Sequence, residues 1–217
     1  ARRAPPTPLG FGGIPSPFHP RSGEGIMNAR LAMLRVTGGT ARGRILRGPR
    51  RATLRPTKGM VKEALFSMLA SLTPSLGRVL DLYAGVGALG IEALSRGADW
   101  VDFAESDHEA CALIRQNLGT TGFSEQSRVF CVSAKKSLSI LPERYDIILL
   151  DPPYSGEEVD MILGALGESP LVGEGTLVVA EHSSRRELAP EYGRLTLVKT
   201  RRYGDSSLSI FRQEVMS

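Results

Sequence analysis

Sulfur, imidazole and indole are all scarce in this 217-residue chain, which has two cysteines, three histidines and one tryptophan. Cys111 and Cys131 are too few for a disulfide scaffold or a zinc-cysteine site, and read as two buried hydrophobes. His19, His108 and His182 share no metal-ligand spacing, so no metal is expected. No apolar run approaches the ~20 residues of a membrane span. Low cysteine and the missing span make a cytoplasmic, membrane-free setting the simplest expectation. Acidic residues are nearly absent from the front: residues 1–62 hold 13 Lys or Arg and one acid, Glu24. The remaining residues carry 14 basic and 22 acidic side chains, so the overall charge of +4 hides a basic front on an acidic body. A polyanionic partner, most simply nucleic acid, follows from that asymmetry.

Residues 1–26 contain six prolines and five glycines without apolar periodicity, and read as a disordered tail. The tail lacks the continuous apolar core of a signal peptide, and Met27 and Met33 are alternative starts behind it. Residues 27–58 form a basic extension. In it, short extended pieces flank Gly38-Gly39, a hairpin signal. Nine cations and no acid lie between Arg35 and Lys62, and the unrelieved sign favours a phosphate-contacting hairpin over a merely solvated one. Residues 59–217 form the main domain. It opens on an amphipathic helix over 59–72, with Thr57 as its expected N-cap.

Strands then alternate with helices. The spacing predicts strands at Arg78–Leu82, Trp100–Glu105, Arg128–Val132, Tyr145–Leu150 and Thr176–Glu181. Helices are predicted at Ala88–Arg96, from His108 to a stop at Gly119, near Lys135–Leu141 and at Glu157–Leu166. Two last strands join through Tyr203-Gly204-Asp205. This is an α/β pattern: a mostly parallel, doubly wound sheet with a C-terminal antiparallel hairpin. Ligands of such sheets lie beyond the carboxyl ends of the strands, so the loops after the first and fourth strands carry the chemistry.

The first of these loops runs from Asp81 through Tyr83 and contains G-x-G-x-x-G at Gly85, Gly87 and Gly90, with Glu105 closing the next strand. That pattern alone passes as a dinucleotide site. A pyrophosphate would be repelled by Asp81, whereas the ammonium and sulfonium of S-adenosylmethionine suit an acidic loop. Glu105 can accept both ribose hydroxyls. The second loop is Asp151-Pro152-Pro153-Tyr154. Its prolines remove two N–H donors and leave a carboxylate and carbonyls, an acceptor-rich turn matched to an exocyclic amine. Asp151 and Pro152 can hold the two amine hydrogens while Tyr154 stacks on a flipped base.

The tetrapeptide resembles motif IV of the amino-group methyltransferases. From Arg35 to Phe211 the chain also resembles the RsmD family, the bacterial small-subunit ribosomal RNA guanine-N2 methyltransferases. The stretches that carry this are Arg35-Val-Thr-Gly-Gly, Arg42-Gly-Arg44, Arg55-Pro-Thr57, Glu63-Ala-Leu-Phe66, the run Asp81–Gly97, Asp151–Tyr154 and Tyr203-Gly-Asp205. The resemblance implies a Rossmann-like methyltransferase fold, with a seven-stranded sheet, helices on both faces and a small basic N-terminal β-hairpin. It implies S-adenosylmethionine as cofactor, held by Asp81, Tyr83, Gly85, Gly87 and Glu105, and a target guanine held by Asp151, Pro152 and Tyr154. The 16S rRNA, in a small subunit or its assembly intermediate, would meet Arg35, Arg42, Arg44 and Arg55, with ribosomal proteins sharing the surface. One departure concerns the adenine contact: the third strand leads into Cys131-Val-Ser-Ala-Lys135 without the usual Asp or Asn, leaving Ser133 and Ala134 as candidates. A monomer is the default expectation. The rivals are a DNA adenine or cytosine amino-methyltransferase, a protein-glutamine methyltransferase, a non-catalytic RNA-binding assembly factor and a nucleotide-dependent oxidoreductase. Glu181 and His182 end the fifth strand near the expected site, where strand-end polarity accounts for them.

Overall fold

Strands buried on both faces read as near-continuous apolar runs, as Ile147–Leu150 and Leu177–Ala180 do here, while two neighbouring strands bury Asp81 and Asp102 among apolar residues. A computed structural model describes residues 34–48, 57–153 and 157–213, all within one compact unit. The elements are β1 (Leu34–Arg35), β2 (Ile45–Leu46), α1 (Thr57–Leu72), β3 (Arg78–Leu82), α2 (Ala88–Ser95), β4 (Trp100–Glu105) and α3 (His108–Thr121). A 3-10 turn follows at Ser124–Gln126. Then come β5 (Ser127–Cys131), α4 (Ala134–Ile140), β6 (Tyr145–Leu150), α5 (Glu158–Gly167), β7 (Val172–Ser183), β8 (Glu191–Tyr192), β9 (Leu195–Tyr203) and β10 (Ser206–Gln213).

The main sheet has the order β5-β4-β3-β6-β7-β10-β9-β8. Pairs from β5 to β7 are parallel, and β10, β9 and β8 add antiparallel strands at one edge. Seven strands are expected from the sequence; the two-residue β8, too short to show a period, makes eight. The chain reverses its winding between β3 and β6, so a crevice opens there at the carboxyl ends. One sheet face, with Val79, Phe103, Ile147 and Val179, packs on α1, α2 and α3. The other, with Leu80, Ile148, Leu150 and Val178, packs on α4 and α5.

Three local expectations differ from the structure. Helix α3 passes Gly119 and ends where Gly122 adopts φ 85° and donates to Leu118 O, a left-handed cap. Gly38-Gly39 is not the hairpin turn, although β1 and β2 do pair antiparallel. The chain reverses through Ala41–Gly43, where Gly43 N donates to Val36 O at 2.8 Å. The glycines serve a close approach to the carboxyl end of α2. Thr40 N donates to Ser95 O at 2.8 Å, and a Cβ on Gly39 would run into that carbonyl. Cys111 and Cys131 are not separate either: they form a disulfide, with Cα atoms 6.1 Å apart, joining the start of α3 to the end of β5. No helix among the described residues is long and apolar enough to cross a membrane.

Candidate active site

The loop from β3 to α2 has an unusual backbone. Tyr83, Gly85 and Gly87 all have positive φ (61°, 56° and 81°), and Tyr83 is the one non-glycine residue so placed among those described. Such a conformation in a bulky residue costs of order 1–3 kcal/mol and persists where surrounding structure enforces it. Two carboxylates enforce it here. Glu105 Oε2 accepts from Gly85 N at 2.8 Å, with Oε1 accepting from Asp107 N at 2.9 Å. Asp81 Oδ2 accepts from Gly90 N at 2.8 Å beneath the loop. Burial raises the Asp81 pKa to about 7. The Gly90 bond opposes that rise, and the charges of Asp151 and Glu105 add to it. Tyr83 closes the loop from outside, donating to Glu158 Oε1 at 3.0 Å.

Tyr83, Glu105, Ser133 and Ala134 line one cleft of about 170 Å³ beside this loop. Ala104, Met161 and Ile162 supply apolar wall, and Lys135 and Glu158 sit at its polar margin. Ser133 also caps α4, its Oγ accepting from Lys136 N at 3.3 Å. An adenosyl group suits this lining: apolar surface for the base, a carboxylate for ribose hydroxyls and an acidic loop for the cationic end. Asp81, Gly85 and Gly87 are not among the cleft-lining residues. Asp81 lies buried beneath the loop, and Gly87 starts α2, so they shape it from below.

Strand β6 ends at the neighbouring position. Asp151 is half-buried there and close enough for its charge to act on Asp81. Pro152 is buried and Pro153 exposed. Both line a small recess with Glu181, His182 and Ser183. Tyr154 and Arg55 lie outside the described residues, as do residues 1–26. Of the candidate RNA contacts, Arg35, Arg42 and Arg44 are exposed on the hairpin.

Sequence reading missed what fastens that hairpin. Glu92 on α2 is fully buried and accepts from Thr37 N, Thr37 Oγ1, Gly38 N and Arg96 Nε at 2.7–2.8 Å, with Lys62 Nζ at 2.8 Å. Burial alone would raise its pKa; Lys62, Thr37 and Arg96 outweigh that and lower it. Lys62 is therefore an internal cation rather than a phosphate contact. Asn117 on α3 is a second fastener. Its Oδ1 accepts from Arg47 N at 2.7 Å, and its Nδ2 donates to Arg47 O and Val86 O, both at 3.0 Å. One amide thus ties the basic hairpin to the glycine loop.

Residues 34–212 match the family model described as "Conserved hypothetical protein 95". The chain belongs to this family, the RsmD family. Similar relatives include the "Ribosomal RNA small subunit methyltransferase D" proteins of Haemophilus influenzae and Escherichia coli K12. They are 33% and 29% identical, covering 82% and 83% of this chain and 93% and 90% of theirs. Among solved structures, yhhF of Escherichia coli superposes with TM-score 0.75 at 26% identity, covering 84% of this chain and 98% of that one. Protein TTHA0928 of Thermus thermophilus gives 0.71 at 32%, covering 83% and 99%. Like other RsmD-family chains, this one is a methyltransferase.

Proposed function

We propose that the protein methylates the exocyclic N2 of a guanine in 16S rRNA of the small ribosomal subunit, or of its assembly intermediate. The observation that carries this reading is the acceptor-rich Asp151–Pro153 turn, in which two prolines remove N–H donors, set beside the glycine loop at the reversal of the sheet. RsmD-family relatives named for the small-subunit RNA supply the substrate class.

When bound, S-adenosylmethionine supplies an electrophilic methyl group on a sulfonium. Tyr83, Glu105, Ser133 and Ala134 hold it, while Asp81 and the glycines fix the loop. An aryl amine is a weak nucleophile because its lone pair is conjugated into the ring. The Asp151 carboxylate and the Pro152 carbonyl accept its two hydrogens and turn the lone pair toward the methyl carbon. As the nitrogen took the methyl group from the sulfonium it would give up one proton, which Asp151 or water would accept. Positioning, rather than a strong base, supplies the rate. Arg35, Arg42 and Arg44 contact phosphate oxygens and set the register of the RNA.

The test is methyl transfer from labelled cofactor to small subunits, naked 16S rRNA and duplex DNA in parallel, followed by nucleoside analysis. The expected product is N2-methylguanosine in a ribosomal substrate. Label in DNA alone, or in another nucleoside, would overturn the assignment.

A further inference from the structure

Asp151 has a counterpart on the next strand. Leu149 pairs with Val179 and Leu150 with Ala180, so the chain leaves β6 at Asp151 beside Glu181, which is still within β7. Side chains alternate along each strand, and Leu149 and Val179 belong to one core face. Glu181 therefore lies on the Val179 face of β7, next to the face that Leu149 presents two residues before Asp151. It is 7% exposed, and Ser206 Oγ of β10 donates to its Oε1 at 3.1 Å. It also borders the recess that contains Pro152 and Pro153.

Guanine presents two neighbouring donors, the 2-amino group and N1–H. Adenine and cytosine place an unprotonated ring nitrogen, an acceptor, beside their amino group. We propose that Glu181 is the specificity-determining residue, accepting guanine N1–H while the Asp151 turn holds the 2-amino group. This rests on the guanine-N2 reading above. Two adjacent carboxylates match two adjacent donors. Against adenine or cytosine, Glu181 would face a ring lone pair in a desolvated site. A site built around one hydrogen bond rejects partners that lack it far more strongly than an apolar pocket rejects a missing methylene.

The experiment compares subunits that carry guanine or 2-aminopurine at the nucleotide methylated by wild type. 2-Aminopurine keeps the 2-amino group but has an acceptor at N1. Wild type should prefer guanine by at least about tenfold in kcat/KM. Glu181→Gln offers a donor to N1 of 2-aminopurine. It should lose guanine activity and narrow or reverse the ratio. Ser206→Ala, a milder change, should narrow the ratio with unchanged cofactor affinity, and it serves if the Gln variant does not fold. A merely structural Glu181 would lower both substrates equally, and an unchanged ratio in both variants would overturn the proposal. If wild type methylated no guanine at all, the parent reading would fail instead.

Discussion

Asp81 offers a quantitative check on how the glycine loop is built. Its carboxyl group is 1% exposed and accepts the Gly90 N–H. Burial moves its pKa from 3.8 to about 7, with smaller increments from Asp151 and Glu105 against the Gly90 bond. Each pKa unit is about 1.4 kcal/mol, so ionised Asp81 costs the folded chain on the order of 4 kcal/mol above neutral pH. The folded value lies above the unfolded one. The folded state therefore binds the Asp81 proton more tightly, and this group's contribution to stability is greatest below about pH 4, falls as pH rises to about 7, and then levels. Asp81→Asn keeps an acceptor for Gly90 and removes the charge. The cofactor-free variant should be more stable than wild type at about pH 8 and match it near pH 4. For a domain of this size the gain is roughly 5–15 °C in Tm. Thermal unfolding across that pH range reads it directly. A variant less stable than wild type at the alkaline end would refute the desolvation argument.

Glu92→Ala leaves Lys62 buried without its partner, and should cost about 3–5 kcal/mol in denaturant unfolding. Wild-type stability from Glu92 is present above its unfolded pKa and is lost as pH falls through the lowered folded value, so the variant should lose that acid-sensitive limb. A change under about 1 kcal/mol would show that the cluster does not hold the hairpin. Charge reversal at Arg42 and Arg44 should weaken RNA binding at low salt. It should also flatten the salt dependence, by roughly 0.7–0.9 in log–log slope for each phosphate no longer neutralised, and an unchanged slope would remove these residues from the interface.

The parallel sheet is legible in the sequence because β3, β4 and β6 are short, mainly apolar segments, each followed by a helical period. The site is legible because its two loops combine rare features, three spaced glycines and an Asp-Pro-Pro turn, at strand ends. What escapes is long-range polar pairing. Glu92 takes its partners from Thr37 and Lys62, 55 and 30 positions earlier in the chain, and no local pattern marks it. Asn117 looks like an ordinary helix polar residue until Arg47 and Val86 fold against it. Gly38-Gly39 illustrates the reverse case. The residue type is informative, but turn and close packing both demand glycine, and only the position of Ser95 decides between them.

The central claim is that the Asp151 turn orients the amine for attack. Single-turnover methyl transfer to small subunits by Asp151→Ala, beside calorimetric cofactor affinity, tests it most directly. A fall of about a hundredfold or more in the transfer rate, with cofactor affinity within roughly threefold of wild type, is the predicted result. Transfer at the wild-type rate would contradict the account.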